Sequence, residues 1–151
     1  TQGLLYPYMK NTDIQKCPSF TAKTEYDGAT AGYGYNYGYL TQNWSAPGVA
    51  ESMIERPADC IVFGDAAFYK SWANPPVVTE SFGLLPPSSS IAYNSPTSQF
   101  RHVGTSNGLF ADGHVKSLKP VLRSTDPKLA AADLHHLGAT VNDDGRYFSG
   151  K

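Results

Sequence analysis

The stretch RHVGTSNGLFADGHV (residues 101–115) decides how this chain is read. Residues 108–111 and 114–118 are strand-like runs on either side of Asp112-Gly113. Asp-Gly in that setting is a strong local hairpin signal, a two-residue turn with positive φ at both central positions. The pattern therefore predicts an antiparallel pair closed at Asp112-Gly113. The stretch also concentrates ligand-type side chains. His102, Asp112 and His114, together with Asp65 upstream, offer two imidazoles and two carboxylates, a set able to hold a divalent metal. A structural reading stands beside the metal reading. Asp112 serves the turn, His114 alternates with the solvated Lys116, and His102 folds back on Asp112 as a hydrogen-bonded clamp.

Upstream of the hairpin, CIVFG (residues 60–64) reads as a short, wholly apolar strand, central and buried, with Asp65 at its end. IERPAD before it reads as a turn. GYGYNYGYL (residues 32–40) alternates strictly. As a strand it puts Tyr33, Tyr35, Tyr37 and Tyr39 on one face and Gly34, Asn36 and Gly38 on the other. Two readings follow. One is a half-buried strand whose glycines admit close packing behind it; the other is an aromatic platform for glycans or a partner, joined by Trp44 and Trp72. GLLYPYMKN (residues 3–11) suits one or two helical turns, and Asn43-Trp44-Ser45 matches a glycosylation sequon. Residues 66–98 form a long Pro- and Ser-rich connection with one strand at residues 77–79. The clearest helix is expected after Asp126, capped by Asp126 and Pro127 at its start and Gly138 at its end. His135 and His136 fall in its last turn, where the helix dipole favours them and where adjacent positions make no ligand pair. Asn142-Asp143-Asp144-Gly145 has the hard oxygens of a calcium loop without the twelve-residue spacing of an EF-hand.

The 151 residues suit one domain, spanning 1–151. A net charge of −1, with 17% of residues charged, gives no basic footprint for nucleic acid or an anionic membrane. Ten Tyr, 14 Gly and 11 Pro favour turns, strands and ordered loops over long helices. No apolar run reaches the roughly 18 residues needed to span a bilayer. The chain opens at Thr1 without a start Met or a charged n-region, which reads as a mature protein or a piece of a longer one. The two cysteines, Cys17 and Cys60, form a disulfide if the compartment is oxidising, closing a loop of about 44 residues and contributing roughly 4 kcal/mol. The other reading is two separate buried thiols. No GxSxG, HExxH, Walker or dinucleotide fingerprint is present, and neither cysteine has a neighbouring histidine in sequence. The sequence therefore offers no catalytic residues, and the chain is read as a non-enzyme.

Several stretches together resemble a known family. His102, nine residues, then Asp112-Gly113 matches the H-X9-DG pattern of bacterial prepilin-like proteins, and FRHVGTSNGLFADGHVK resembles their C-terminal phrase. LLYPYMKNTDIQKCPS, YGYN (residues 33–36) and RPADCIVFGDA resemble the family's upstream segments. The resemblance covers roughly residues 4–119 and leaves out the helix after Asp126 and the tail. It implies kinship with type IV pilins and type II secretion pseudopilins, whose members carry an N-terminal leader and a long apolar helix. That helix is not in this sequence, so it is expected either to have been removed or to come from a separate small subunit. No catalytic residue carries over; His102, Asp112 and Gly113 do so only as motif positions. Some pseudopilins bind calcium, and which residues would do so here is open.

The expectation is thus an α+β domain, a small antiparallel sheet with long ordered loops and short edge helices, forming a pilin-like globular head. Its expected work is packing against identical subunits in a filament on the bacterial cell surface, or in a secretion system. Two rivals stand: a secreted carbohydrate-binding or adhesin domain, and a metal-dependent hydrolase centred on Asp65, His102 and Asp112.

Overall fold

The computed structural model describes residues 6–11, 13–24, 32–41, 48–86, 97–121, 136–140 and 147–150. The body of the expected helix after Asp126, His135, the sequon with Trp44, and the candidate calcium loop at residues 142–145 lie outside the described residues. The expected end of that helix is described and is not helical: Leu137–Gly138 pairs as a strand with Ser98–Gln99, so Gly138 is no helix cap, and His136 has a φ of 58° rather than a place in a last helical turn. The described part is built from small antiparallel sheets with a few short helical turns. No helix among the described residues is long and apolar enough to cross a membrane.

The main sheet has four strands: β1 (Tyr33–Tyr35), β2 (Ile61–Asp65), β6 (Ser106–Phe110) and β7 (Val115–Leu118), in the order β1-β2-β6-β7. All its neighbours are antiparallel. β3 (Phe68–Lys70) pairs with β4 (Val77–Thr79), and β5 (Ser98–Gln99) pairs with β8 (Leu137–Gly138). Among the described residues, the connection after Asp65 thus contains three strands where one was expected. α1 (Tyr6–Met9) and a 3-10 turn at Asp13–Gln15 precede the sheet, and after another 3-10 turn at Glu51–Met53 a third at Pro57–Asp59 occupies the expected turn before β2.

Strand β2 is central, as its apolar run implies, but it is not buried on both faces. Its pairing with β6 slips between Ile61 and Phe63. A bulge of this kind rotates the following residues to the other face. Ile61 therefore enters the core at 1% exposure while Phe63 lies 42% exposed on the outer face. On β6, Ser106, Gly108 and Phe110 face inward, while Asn107 and Leu109 face outward. The core beneath the sheet gathers Ile61, Ala66, Leu84, Phe110, Leu118, Tyr147 and Phe148. A smaller cluster of Ala67, Tyr69 and Leu137 lies under the second hairpin.

The tyrosine run is not one strand. β1 ends at Tyr35; Asn36 follows on the same inward face as Gly34, as the alternation implies, and is fully buried. The Asn36 side-chain amide donates to the carbonyls of Ile61 at 2.9 Å and Phe148 at 3.0 Å, and its backbone N–H donates to Val62. Tyr37–Leu40 then forms the helical turn α2. Tyr33 and Tyr35 share the outer face of the sheet, whereas Tyr37 and Tyr39 leave it. Close packing behind the strand does occur at Gly34. A Cβ there would come within 2.7 Å of the Ala66 side chain and 2.9 Å of the Gly83 backbone.

The hairpin at Asp112-Gly113 is present but is not a two-residue turn. Gly113 donates to the Phe110 carbonyl, and Phe110 to that of His114, enclosing Ala111, Asp112 and Gly113. Positive φ is needed only at Gly113, at 90°. This is the three-residue loop in which the last residue is left-handed. A two-residue turn with positive φ at both central positions sits at the other end of β6. His102 and Thr105 exchange backbone hydrogen bonds of 3.1 Å around Val103 (φ 54°) and Gly104 (φ 78°). Val103 is fully exposed, so no packing compensates a β-branched residue held in the left-handed region. Val103→Asn is expected to raise stability by about 1 kcal/mol, because Asn tolerates that conformation better. Urea melts of the two proteins measure it, and an unchanged midpoint would count against a strained turn.

The expected disulfide is absent: Cys17 and Cys60 are both buried free thiols. Cys60 immediately precedes β2, while Cys17 lies against residues at the far end of that strand. Five residues of strand span roughly 16 Å, whereas a bridge needs Cα atoms within about 7 Å. Burial pushes the Cys60 thiol pKa up.

Candidate functional site

The site grows from Asp65, the last residue of β2, which is 1% exposed. A buried carboxylate needs partners on both oxygens. Oδ1 accepts from Arg101 Nη2 at 2.6 Å. Oδ2 accepts from the Asn107 backbone N–H at 2.6 Å and lies 3.2 Å from His102 Nε2. The Arg101 side chain is only 5% exposed, so this is a buried ion pair. Arg101 spends its other donors on the carbonyl of Gly32, the Gln99 amide oxygen at 2.9 Å, and the Cys17 sulfur, reached by Nε at 3.2 Å. Its guanidinium lies over the rings of Phe20 and Tyr33 at 5.5 and 6.0 Å.

Cys17 completes the group. Its Sγ lies 3.6 Å from His102 Nε2, and the ligand atoms of Cys17, Asp65 and His102 all fall within 4.8 Å of one another. Pro18 and Ser19 turn the chain after Cys17, and the Phe20 N–H donates to the Cys17 carbonyl at 2.9 Å. The strained Val103-Gly104 turn places His102 beside Asp65. Tyr33 borders the group from β1. Its hydroxyl pKa is raised, first by burial and then by the neighbouring Cys17 and Asp65, with Arg101 opposing.

A cleft of about 540 Å³ opens beside this group on the outer face of the sheet. Its floor is Tyr33, Phe63, Leu109 and Val115; residues 14–18 form a wall. Cys17, Asp65 and His102 close its polar end.

Asp112 and His114 do not belong to the site. They lie in and beside the hairpin loop past Phe110, about four residues of strand or roughly 13 Å along β6 from Asn107. The clamp from His102 to Asp112 therefore does not form; His102 meets Asp65 instead. Asp112 has its own work. Its Oδ1 accepts from the His114 backbone N–H at 3.1 Å and lies 2.6 Å from His114 Nδ1, while the imidazole stacks on Phe110 at 4.4 Å. Hydrogen bonding to the His114 backbone holds the Asp112 pKa below the ordinary carboxylate value. A depressed folded pKa stabilises above the unfolded value of about 3.9 and loses that stabilisation as pH falls through the folded value. The stability difference between the native protein and Asp112→Asn should therefore shrink as pH drops below about 4. A difference that stays constant down to full protonation would refute the assignment.

Arg101 was not singled out by sequence, and Cys17 was singled out only as a disulfide partner for Cys60. Arg101 adjoins His102 in the motif phrase, and that adjacency was the available signal. Nothing local connects Cys17 to Asp65. Of the remaining candidates, Trp72 is 68% exposed beyond β3, edge-on to Phe68 at 5.6 Å. His136 is exposed with φ 58°.

The group is not a nucleophilic relay. In a Cys–His–carboxylate relay the thiol and the carboxylate engage different ring nitrogens. Here both face Nε2. No known protein family, curated protein or solved structure matches this chain.

Proposed function

We propose that this domain is the globular head of a pilin-like or pseudopilin subunit, working by packing against identical subunits in a filament on the bacterial cell surface. The supporting observation is the outer face of the main sheet. Phe63, Leu109 and Val115 are 42%, 36% and 66% exposed there, with the Tyr35 ring tilted against Phe63 at 5.2 Å. A contiguous apolar face of this kind suits burial by another protein, and aromatic residues are enriched where such surfaces meet. The H-X9-DG positions fit a structural role. His102 is held against Asp65 at one end of β6, and Asp112-Gly113 closes the hairpin at the other, so the motif frames the strand that carries Leu109. The proposal assigns the domain no reaction.

The test is composition of purified filaments from the source organism. Their subunits should include this polypeptide, and Phe63→Glu should remove it from them while leaving the domain folded. Filaments that never contain it would end the proposal.

One observation favours a second reading, a carbohydrate-binding domain: the exposed Trp72 with Phe68 beside it. Aromatic faces are suited to stacking on apolar ligand surfaces. Glycan-array binding that disappears in Trp72→Ala would support it, and an array without signal would remove it.

A further inference from the structure

We propose that Cys17, Asp65 and His102 form a three-ligand site for a borderline-soft divalent metal of the zinc type, with its fourth position open to the cleft. The inference does not require the filament reading, but the two meet at one place: the cleft shares Phe63, Leu109 and Val115 with the face proposed to pack against a neighbouring subunit. It replaces Asp112 and His114 of the sequence-based set with Cys17, a thiol that no spacing rule connects to the other two.

The geometry is the first argument. Tetrahedral zinc has Zn–S near 2.3 Å and Zn–N and Zn–O of about 2.0–2.1 Å. Those bonds set ligand-to-ligand edges of about 3.5 Å between sulfur and nitrogen and about 3.3 Å between nitrogen and oxygen. The observed edges are 3.6 Å for Cys17 Sγ to His102 Nε2 and 3.2 Å for His102 Nε2 to Asp65 Oδ2. Two edges of the tetrahedron are therefore formed, and all three ligand atoms lie within 4.8 Å of one another. The same fact that rules out a relay, both groups facing one ring nitrogen, is what convergence on a metal requires.

The outer shell is the second argument. Ligating groups are oriented by hydrogen bonds from donors around them. Arg101 provides these to two ligands at once, donating to Cys17 Sγ at 3.2 Å and to Asp65 Oδ1 at 2.6 Å. The Asn107 N–H fixes Oδ2 from the backbone. Binding takes the Cys17 proton off into solvent and uses His102 as the neutral imidazole protonated on Nδ1. The thiolate and carboxylate bring two negative charges and Arg101 one positive, so a dication leaves the site with one net positive charge. Affinity is accordingly weaker than at an all-thiolate site. The set of three protein ligands with an open position is the arrangement of zinc sites that bind water or a ligand, and here that position faces the apolar cleft.

The test is titration of the chelator-treated full chain with Co2+ alone. One equivalent should produce thiolate-to-cobalt charge-transfer absorption in the near ultraviolet and tetrahedral bands in the visible, both bleached by Zn2+. Cys17→Ser should lose the charge-transfer band, and Cys60→Ser should keep it. His102→Gln should weaken binding by at least about tenfold. Native protein without the charge-transfer band overturns the proposal, as does a band that survives in Cys17→Ser. The native titration and Cys60→Ser decide the matter even if Cys17→Ser fails to fold, since a band lost in Cys60→Ser would assign the sulfur to the wrong cysteine.

Discussion

Asp65→Ala should destabilise the domain by about 3–5 kcal/mol, the range for breaking one side of a buried ion pair. The substitution leaves the Arg101 guanidinium 5% exposed with no carboxylate, while the Asn107 N–H and His102 Nε2 lose their shared acceptor. Most of the loss is the penalty of an uncompensated buried charge. Arg101→Met should therefore be destabilising alone, for the reciprocal reason, and the double variant should recover part of the sum. Denaturant melts of the four proteins give the coupling directly. If Asp65→Ala costs less than about 1 kcal/mol, the value typical of an exposed pair, the pair is not buried in solution.

Phe110→Ala should cost about 3–5 kcal/mol, whereas Leu109→Ala, one residue earlier, should cost less than about 1 kcal/mol. Phe110 is 1% exposed in the core, edge-on to Tyr147 at 5.5 Å and stacked with His114 at 4.4 Å. Removing its ring leaves a cavity that the surrounding side chains fill only in part. Leu109 points to the outer face and is 36% exposed, so its truncation opens a gap to solvent rather than an enclosed cavity. Equal losses from the two variants would mean that the outer face is covered in the isolated protein.

The local elements were legible to the extent that local chemistry makes them. Asp112-Gly113 marked a hairpin correctly because a chain reversal there needs a glycine, and Gly113 does carry the positive φ. Its loop length was misjudged, since two- and three-residue loops use the same dipeptide and differ only in how the flanking strands register. The apolar run before Asp65 was legible as the central strand. The tyrosine alternation held through Asn36 and failed beyond it, where Tyr37–Leu40 turns into a helix; Asn36 is anchored there by two carbonyls, on Ile61 and Phe148, that no reading of residues 32–40 alone can supply. Local periodicity yields where a buried side chain gains partners elsewhere in the chain.

By itself the sequence determined the antiparallel pair, the central strand, the class of small sheets with short helical turns, and Asp65 and His102 as residues of interest. The tertiary structure alone decided which face each strand residue takes. The bulge after Ile61 sends Phe63 outward, and pairing with β2 and β7 sets Leu109 and Phe110 on opposite sides. It alone also decided the company of Asp65. Arg101 and Cys17 reach that carboxylate's surroundings from distant parts of the chain, and a buried charge takes the partners that the fold brings within hydrogen-bonding distance. Turn chemistry is written in neighbouring residues; ion pairing and ligand convergence depend on distances in space that sequence spacing does not encode.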